Sequence, residues 1–392
     1  MKNKGIVILV VILVILIIGS GGFLIYKILT ENNQIQNNPN NTFATNETEP
    51  NDDELVVEQK EPEIFKGDER PIAVMIDNHT GAWPQANLNK AYLVYEIIVE
   101  GGETRLMALF KNQDLEEIGP VRSSRHYFLD YALENDAIYV HHGWSPQAQR
   151  DIQSLGIDYI NGIQESAKDF WRVKGKSSPH NLFTSTESIL KIAERKGYKT
   201  TSSKKSVLNY IAGDVELNVK YGSAENQTEA VTENTTEQVT EQTIDNSTET
   251  TQTTNSKEKA IKALSITIPH SSLQKVKYLY NEETKTYTRY ARGKIQTDYV
   301  TGDDITTKNI IITKCDNYTL NDSENKGRQG LDNIGTFDGY YITNGYAIPI
   351  QCTKVARASQ TIYKDLDGNT IEVSDGNTFI QICPKDAEII IE

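Results

Sequence analysis

Cysteine is scarce in this 392-residue chain, and its placement narrows the chemistry. The three cysteines, Cys315, Cys352 and Cys383, all fall in the last part of the chain, in strand-like runs. No CxxC pair occurs, so zinc and thioredoxin-type sites are excluded. An odd number outside the cytoplasm leaves at least one thiol unpaired or paired with another chain. Small buried apolar side chains are the favoured reading, with one disulfide still open. Cations are also in short supply. Lys and Arg number 40 against 54 Asp and Glu, a formal charge of -14. Nucleic-acid binding calls for clustered Lys and Arg, so no nucleic-acid partner is expected. Much of the acidity sits in two polar tracts rather than in the segments that read as folded.

A long apolar run opens the chain. Residues Ile6 to Tyr26, "IVILVVILVILIIGSGGFLIY", carry no charge. A bilayer core of ~30 Å takes about 20 such residues as a helix. The rival is a cleaved secretory signal, whose apolar region normally runs only ~7–15 residues. A single uncleaved span over 6–26 is therefore expected. No cysteine stands at the end of the run, so a lipid anchor on such a residue is not expected. Lys2 and Lys4 precede the span and Lys27 is the nearest cation after it. The positive-inside rule then places residues 1–5 in the cytoplasm and the bulk outside.

Residues 27–68 include "NNQIQNNPNNTFATNETEPNDDE", too polar to bury a core, and read as a disordered stalk. A second polar tract, 223–258, is Thr- and Glu-rich and reads as a linker or surface insertion. Between them, residues 69–222 alternate strand and helix signals. "PIAVMID" is a buried strand candidate, and "AYLVYEIIVE" and "TRLMALFK" are two β runs meeting at Gly101-Gly102. Phe128, Leu129, Ala132 and Leu133 fall on one helical face, with the helix expected to start at Ser123 or Ser124. Ser145, Pro146 and Gly156 mark another helix as N-cap, first residue and stop. Thr184 and Glu187 stand at capping-box spacing ahead of a helix ending at Gly197. Residues 259–392 turn to β, with Asp367-Gly368 and Asp375-Gly376 placed as hairpin turns. The fold class is α+β: an N-terminal mixed α/β sheet domain, then a mainly β domain, behind one transmembrane helix.

Three groups could carry chemistry. In "GPVRSSRHYF", Arg122, Ser123, Ser124 and Arg125 surround the expected helix start, where free N–H groups and two guanidinium forks suit a phosphate. The competing role for these arginines is structural pairing with the domain's own acids. Arg105, His141 and His180 join them as candidates for an anion site, provided both helix starts open on one edge. A carboxylate cluster of Asp77, Glu96, Glu100 and Glu103 could hold a divalent cation if the strand is regular, or be solvated hairpin ends. No other cofactor is expected. Ser145 in "GWSPQ" lacks the second glycine of a nucleophile elbow, since Gln147 stands there, and reads as a helix cap. His180 in "SSPHNLF" is also readable as a satisfied loop histidine.

Several stretches together resemble the YerB-like family of bacterial envelope proteins, with DUF3048 N- and C-terminal domains. They are "RPIAVMIDNHTGAWPQANLNKAYLVYEIIVEGGETRLMALF", "IGPVRSSRHYFLDYALENDAIYVHHGWSP", "SSPHNLFTS" and the tail "GYAIPIQCTK…YKDLDGNTIEVSDGNTFIQI". The resemblance implies a Gram-positive extracytoplasmic protein of two domains and brings no established catalytic residues. Many members are lipoproteins, whereas this chain has its apolar run instead. Family-typical Pro-Gly and Trp near the C-terminus are replaced here by Asp375-Gly376 and Phe379. The combined expectation is a membrane-anchored binding or accessory module with an Arg-rich anion site, facing an envelope glycan, phospholipid or protein. The alternative is an enzyme acting on a phosphate-bearing envelope substrate such as a polyprenyl-linked glycan.

Overall fold

The computed structural model describes residues 67–223 and 259–392, together with Pro62. The expected span over 6–26, most of the stalk and nearly all of the second polar tract lie outside the described residues. Among the described residues no helix is long and apolar enough to cross a membrane.

Three strands at the start of the folded region are apolar along their whole length, as a strand covered on both faces must be. They are β1 (Ile72–Asp77), β2 (Leu93–Ile98) and β3 (Thr104–Phe110), and every residue in them is buried. β2 and β3 form an antiparallel hairpin. Its turn needs Gly101 and Gly102, both at positive φ (69° and 73°), as the sequence indicates. β1 pairs antiparallel with β3 and parallel with β4 (Ile138–His141), which pairs parallel with β5 (Tyr159–Asn161). Three longer helices follow in this half, α1 (Phe128–Glu134), α2 (Pro146–Leu155) and α3 (Thr186–Arg195), and a short one spans Leu217–Tyr221.

The later strands are β6 (Ser265–Pro269), β7 (Lys275–Asn281), β8 (Thr286–Ala291), β9 (Asn309–Thr319), β10 (Gly335–Thr343), β11 (Tyr346–Lys354), β12 (Ile362–Asp365) and β13 (Thr378–Pro384). Strands β9–β13 do not form a sheet of their own beside the first. A single 12-stranded sheet runs β12-β11-β10-β9-β13-β2-β3-β1-β4-β5 along its main path. The joint is β13, parallel to both neighbours, with Phe379 opposite Val94 on one side and Ile310 on the other. The two family-like segments are thus hydrogen-bonded into one sheet, and residues 59–392 form one compact unit. Strands β6–β8 belong to a second, six-stranded sheet.

Alternation along the strands divides the core in two. Ala73, Met75, Tyr95, Met107 and Leu109 share one cluster with Phe128 of α1 and Ile152 of α2. Val74, Ile76, Val94, Leu106 and Ala108 share the other with Ile189 and Ile192 of α3 and with Ile266, Val276 and Tyr278 of the smaller sheet. The second polar tract leaves and re-enters at one point. Ser223 and Ala260 form a bridge, and Ala260 N–H donates to Gly222 O at 2.9 Å.

Several local expectations need correction. α1 begins at Phe128, not at Ser123 or Ser124, and has no side-chain cap. Residues 118–124 instead run as an extended strap. Their backbone makes isolated bridges to Ala86, Ile76, Thr184 and Trp144. α2 does start on the Ser145 cap, whose Oγ accepts from Ala148 N–H, and it stops at left-handed Gly156. α3 is capped by Ser185, one residue later than the Thr184 expectation, while Thr184 Oγ1 donates to the Asp169 carbonyl. Gly368 closes a turn onto the Asp365 carbonyl, as the Asp-Gly signal suggests. Asp375-Gly376 is not a hairpin, because the strand before it, Glu372–Val373, pairs with Asn209–Tyr210 while β13 lies in the large sheet. The cysteines are all free and buried.

Candidate functional site

The extended strap places its arginines by backbone bonding. Asp77 N–H donates to Pro120 O, Arg122 N–H to Met75 O, and Ser124 N–H to Gly143 O, each within 2.9 Å. These bonds tie the strap between the end of β1 and the loop after β4. Arg122 and Arg125 thereby face a cleft of about 490 Å³, together with Asp77, His79, Glu100, Glu103, Arg105, Ser123 and His180. The arginines reach a common cavity on which α1 does not open, while Ser145, the N-cap of α2, is among its lining residues.

Each acid in the cleft has a cation. Glu100 accepts two bonds from Arg125, Nε at 2.5 Å and Nη2 at 2.8 Å. Burial works against the Glu100 carboxylate, but bonding to Arg125 outweighs it and holds its pKa below the usual range. Arg122 Nε lies 3.1 Å from Asp77 Oδ2 as an ion pair. Glu103 pairs with Arg292. At the rim, Arg328 bonds to Asp322 and Glu324, and Lys326 pairs with Glu324.

Arg105 has no such partner. It is the second residue of β3, opposite Asp77, is 5% exposed, and forms no ion pair among the described residues. Its Nη1 donates to the Ser123 carbonyl at 2.6 Å. Burial, then the like charges of Arg125 and Arg122, pull its pKa down to about 9, which leaves it charged at neutral pH. Glu100 and Asp77 oppose that shift from beyond ion-pair distance, so a buried guanidinium beside two others, without an ion pair, would gain from an anion's charge.

Asp77 also organises two imidazoles. His180 Nδ1 lies 2.7 Å from Asp77 Oδ2. A carboxylate can only accept, so Nδ1 carries a proton, and this bond selects the tautomer with its lone pair on Nε2. His79 stacks on His180, with ring centroids 4.4 Å apart and planes 13° from parallel. Its Nδ1 accepts from Gly81 N–H at 3.0 Å, which puts the ring proton on Nε2. One face of the cleft therefore offers an imidazole acceptor beside an imidazole donor.

Three predicted site residues lie elsewhere. Ser124 is sealed off and accepts from the Tyr139 hydroxyl at 2.8 Å. His141 is buried among Tyr139, Trp144 and Tyr159, with Nδ1 2.8 Å from the Gly143 carbonyl. Burial pulls its pKa down to about 4, so it stays neutral. Glu96 faces away from the cleft and pairs with buried Arg289 at 2.9 Å. β2 also ends at Ile98, so Glu100 lies in the turn and not on the strand face of Glu96. The four carboxylates do not converge. Among the described residues no group of three or more His, Cys, Asp or Glu side chains is arranged to hold a metal. His79 was not anticipated as a site residue; its position two after Asp77, past the strand end, was the available signal.

Residues 58–199 match the model of the DUF3048 N-terminal domain, a protein of unknown function, and residues 266–380 match its C-terminal domain. The chain belongs to this YerB-like family. It is 30% identical over 323 residues to "Putative lipoprotein YerB" of Bacillus subtilis (strain 168), covering 80% of this chain and 81% of that protein. It is also similar to the crystal structure of YerB protein from Bacillus subtilis, with a TM-score of 0.64 and 29% identity, over 82% of this chain and 94% of that one. The named arginines, acids and histidines inside the cleft come from "MIDNH", "VEGGETR", "GPVRSSR" and "SSPHN", within the N-terminal match, while Lys326 and Arg328 at the rim fall in the C-terminal match.

Proposed function

We propose that this protein is a membrane-associated, extracytoplasmic binding module of the cell envelope whose cleft holds an anionic group. The lipoprotein name of the Bacillus subtilis relative supports membrane association outside the cytoplasm. The apolar run over 6–26 supplies the attachment, with residues 1–5 on the cytoplasmic side. The observation that carries the anion reading is Arg105. Burying a charge is costly unless it is paired, and Arg105 is buried without an ion pair where it lines a cavity. Envelope partners of fitting chemistry are phosphate-bearing glycans and phospholipid headgroups.

The test is binding of the detergent-solubilised full chain to glycerol-phosphate polymer and to short-chain phosphatidylglycerol. The wild type should bind with an affinity that falls as salt rises. Arg105→Met should lose most of that binding while its circular dichroism stays native. Unchanged binding in folded Arg105→Met would sink the reading.

A further inference from the structure

In the anion reading Arg105 accounts for the ligand's charge, while the acid–base capacity of the two stacked imidazoles beside it is unused. Resting on that reading, we propose that the cleft is a phosphodiesterase centre in which His180 is the general base and Arg105 holds the phosphate.

The charge count selects the ester. Arg122 is set against Asp77, Arg125 against Glu100, and Glu103 is taken by Arg292. Arg328 and Lys326 at the rim share Asp322 and Glu324. Among the described residues Arg105 is the lining cation without an ion pair, and Glu100 and Asp77, which act on its charge, are already paired. One uncompensated positive charge matches the single negative charge of a phosphodiester better than the double charge of a monoester. Lys176, bonded to the Ala82 and Pro84 carbonyls, is not among the lining residues, although Asp77 acts on its charge.

The acid–base geometry follows the same logic. Asp77 fixes His180 with its proton on Nδ1, so Nε2 is the basic atom, and no protein group bonds to it. Arg122 and the His79 N–H both contact Asp77, so the carboxylate is oriented from three sides. Asp77 is thus a positioning residue. His79 Nε2–H, on the stacked ring, faces Glu103 Oε1 at 4.0 Å and is placed to donate to an ester oxygen brought in beside it.

The step balances as a hydrolysis. A water oxygen forms a bond to phosphorus while His180 Nε2 takes one of its protons. The bond from phosphorus to the leaving oxygen breaks, and the electron pair stays with that oxygen, which is protonated from solvent at the cleft mouth. His180 then returns its proton to solvent. The products are a phosphomonoester and an alcohol. The guanidiniums hold the phosphoryl oxygens as negative charge builds in the transition state.

The experiment uses the full chain in detergent micelles with bis(p-nitrophenyl) phosphate, and p-nitrophenyl phosphate as the monoester arm. Release of p-nitrophenolate is read by absorbance. The diester should be cleaved and the monoester should be the poorer substrate. His180→Ala should lower kcat roughly 100-fold or more, in the range of lost acid–base catalysis. Added imidazole should restore part of that rate, which a merely structural loss would not allow. Binding of dimethyl phosphate, followed separately by its effect on melting temperature, should survive in His180→Ala and fail in Arg105→Met. Dimethyl phosphate binding without diester cleavage would overturn the catalytic proposal and leave the anion site standing. Absence of both would overturn the two together. Equal rates in folded His180→Ala and wild type would remove His180 from the chemistry, and a preference for the monoester would overturn the choice of ester.

Discussion

Glu96 and Arg289 face each other at 2.9 Å with neither side chain open to solvent. One stands on β2 of the large sheet and the other on β8 of the small one, so the pair ties the two sheets together. Burial alone would raise the Glu96 pKa, but the Arg289 charge, with His270 and the Thr104 hydroxyl, holds it below the usual range. Asn78 and Thr104 both donate to Glu96 Oε1, and Arg289 also reaches the Tyr278 hydroxyl.

Removing one partner leaves the other charged and buried. Glu96→Gln is therefore expected to cost about 3–5 kcal/mol, whereas Glu96→Leu with Arg289→Met should recover much of that loss. Denaturant midpoints of the single and double variants measure the difference. A double variant no more stable than Glu96→Gln would show that the pair itself, and not the avoidance of an orphan charge, holds the sheets.

The cysteines give a second prediction. All three are buried and unpaired. Burial pushes the thiols of Cys352 and Cys383 up to about 12 and raises that of Cys315 as well. Thiolate is the reactive form, so the native protein should be inert to thiol reagents at neutral pH. Mass spectrometry should find no label on the native chain and three labels after unfolding in denaturant without reductant. Fewer than three under those conditions would mean a disulfide the fold does not contain.

Much of the cleft was legible because its residues sit next to local signals. Asp77 ends an apolar strand, Arg105 is the second residue of another, Glu100 precedes a Gly-Gly turn, and Arg122 and Arg125 follow Gly119-Pro120. What failed was geometry set by distant backbone. The helical period of Phe128 to Leu133 was extended back to Ser123, but tertiary bonds from the strap to Met75 and Gly143 take those residues out of any helix. Glu96 read as an acid on a strand face, and its partner Arg289 lies far along the chain where no local pattern announces it. The single sheet was hidden for the same reason. β13 is the last long strand, and only its pairing with both β2 and β9 joins the halves.

His141 predicts an acid-side loss of stability. Burial holds its pKa near 4, against an ordinary value of 6.5. The unfolded chain then binds the proton first. Stability from this residue is complete above pH 6.5 and is lost as pH falls from 6.5 towards 4. The shift corresponds to something on the order of 3 kcal/mol at full extent. His270, also buried, is lowered as well and adds to the same trend. His141→Phe, which suits a site walled by Tyr139, Trp144 and Tyr159, should flatten the decline without abolishing it. Urea unfolding at a series of pH values from 7 down tests this; identical slopes in variant and wild type would contradict it.

Arg105 sets function against stability. Its ordinary pKa is 12.5 and burial with Arg125 and Arg122 pulls it down to about 9. The folded state binds this proton less well than the unfolded chain, so the charge destabilises the fold below pH 9. That penalty is relieved as pH rises from about 9 towards 12.5. Replacing the side chain with an apolar one of similar length should remove the penalty, by about 1–4 kcal/mol if the cleft packs well around it. Arg105→Met is thus expected to melt higher than wild type without ligand. Adding dimethyl phosphate should raise the melting temperature of wild type and leave the variant nearly unmoved, because only the wild type gains a counter-charge. The crossing of those two responses is the diagnostic. If Arg105→Met melts below wild type in the absence of any anion, then Arg105 braces the strap through the Ser123 carbonyl, and the cleft was not kept open for a ligand at the expense of the fold.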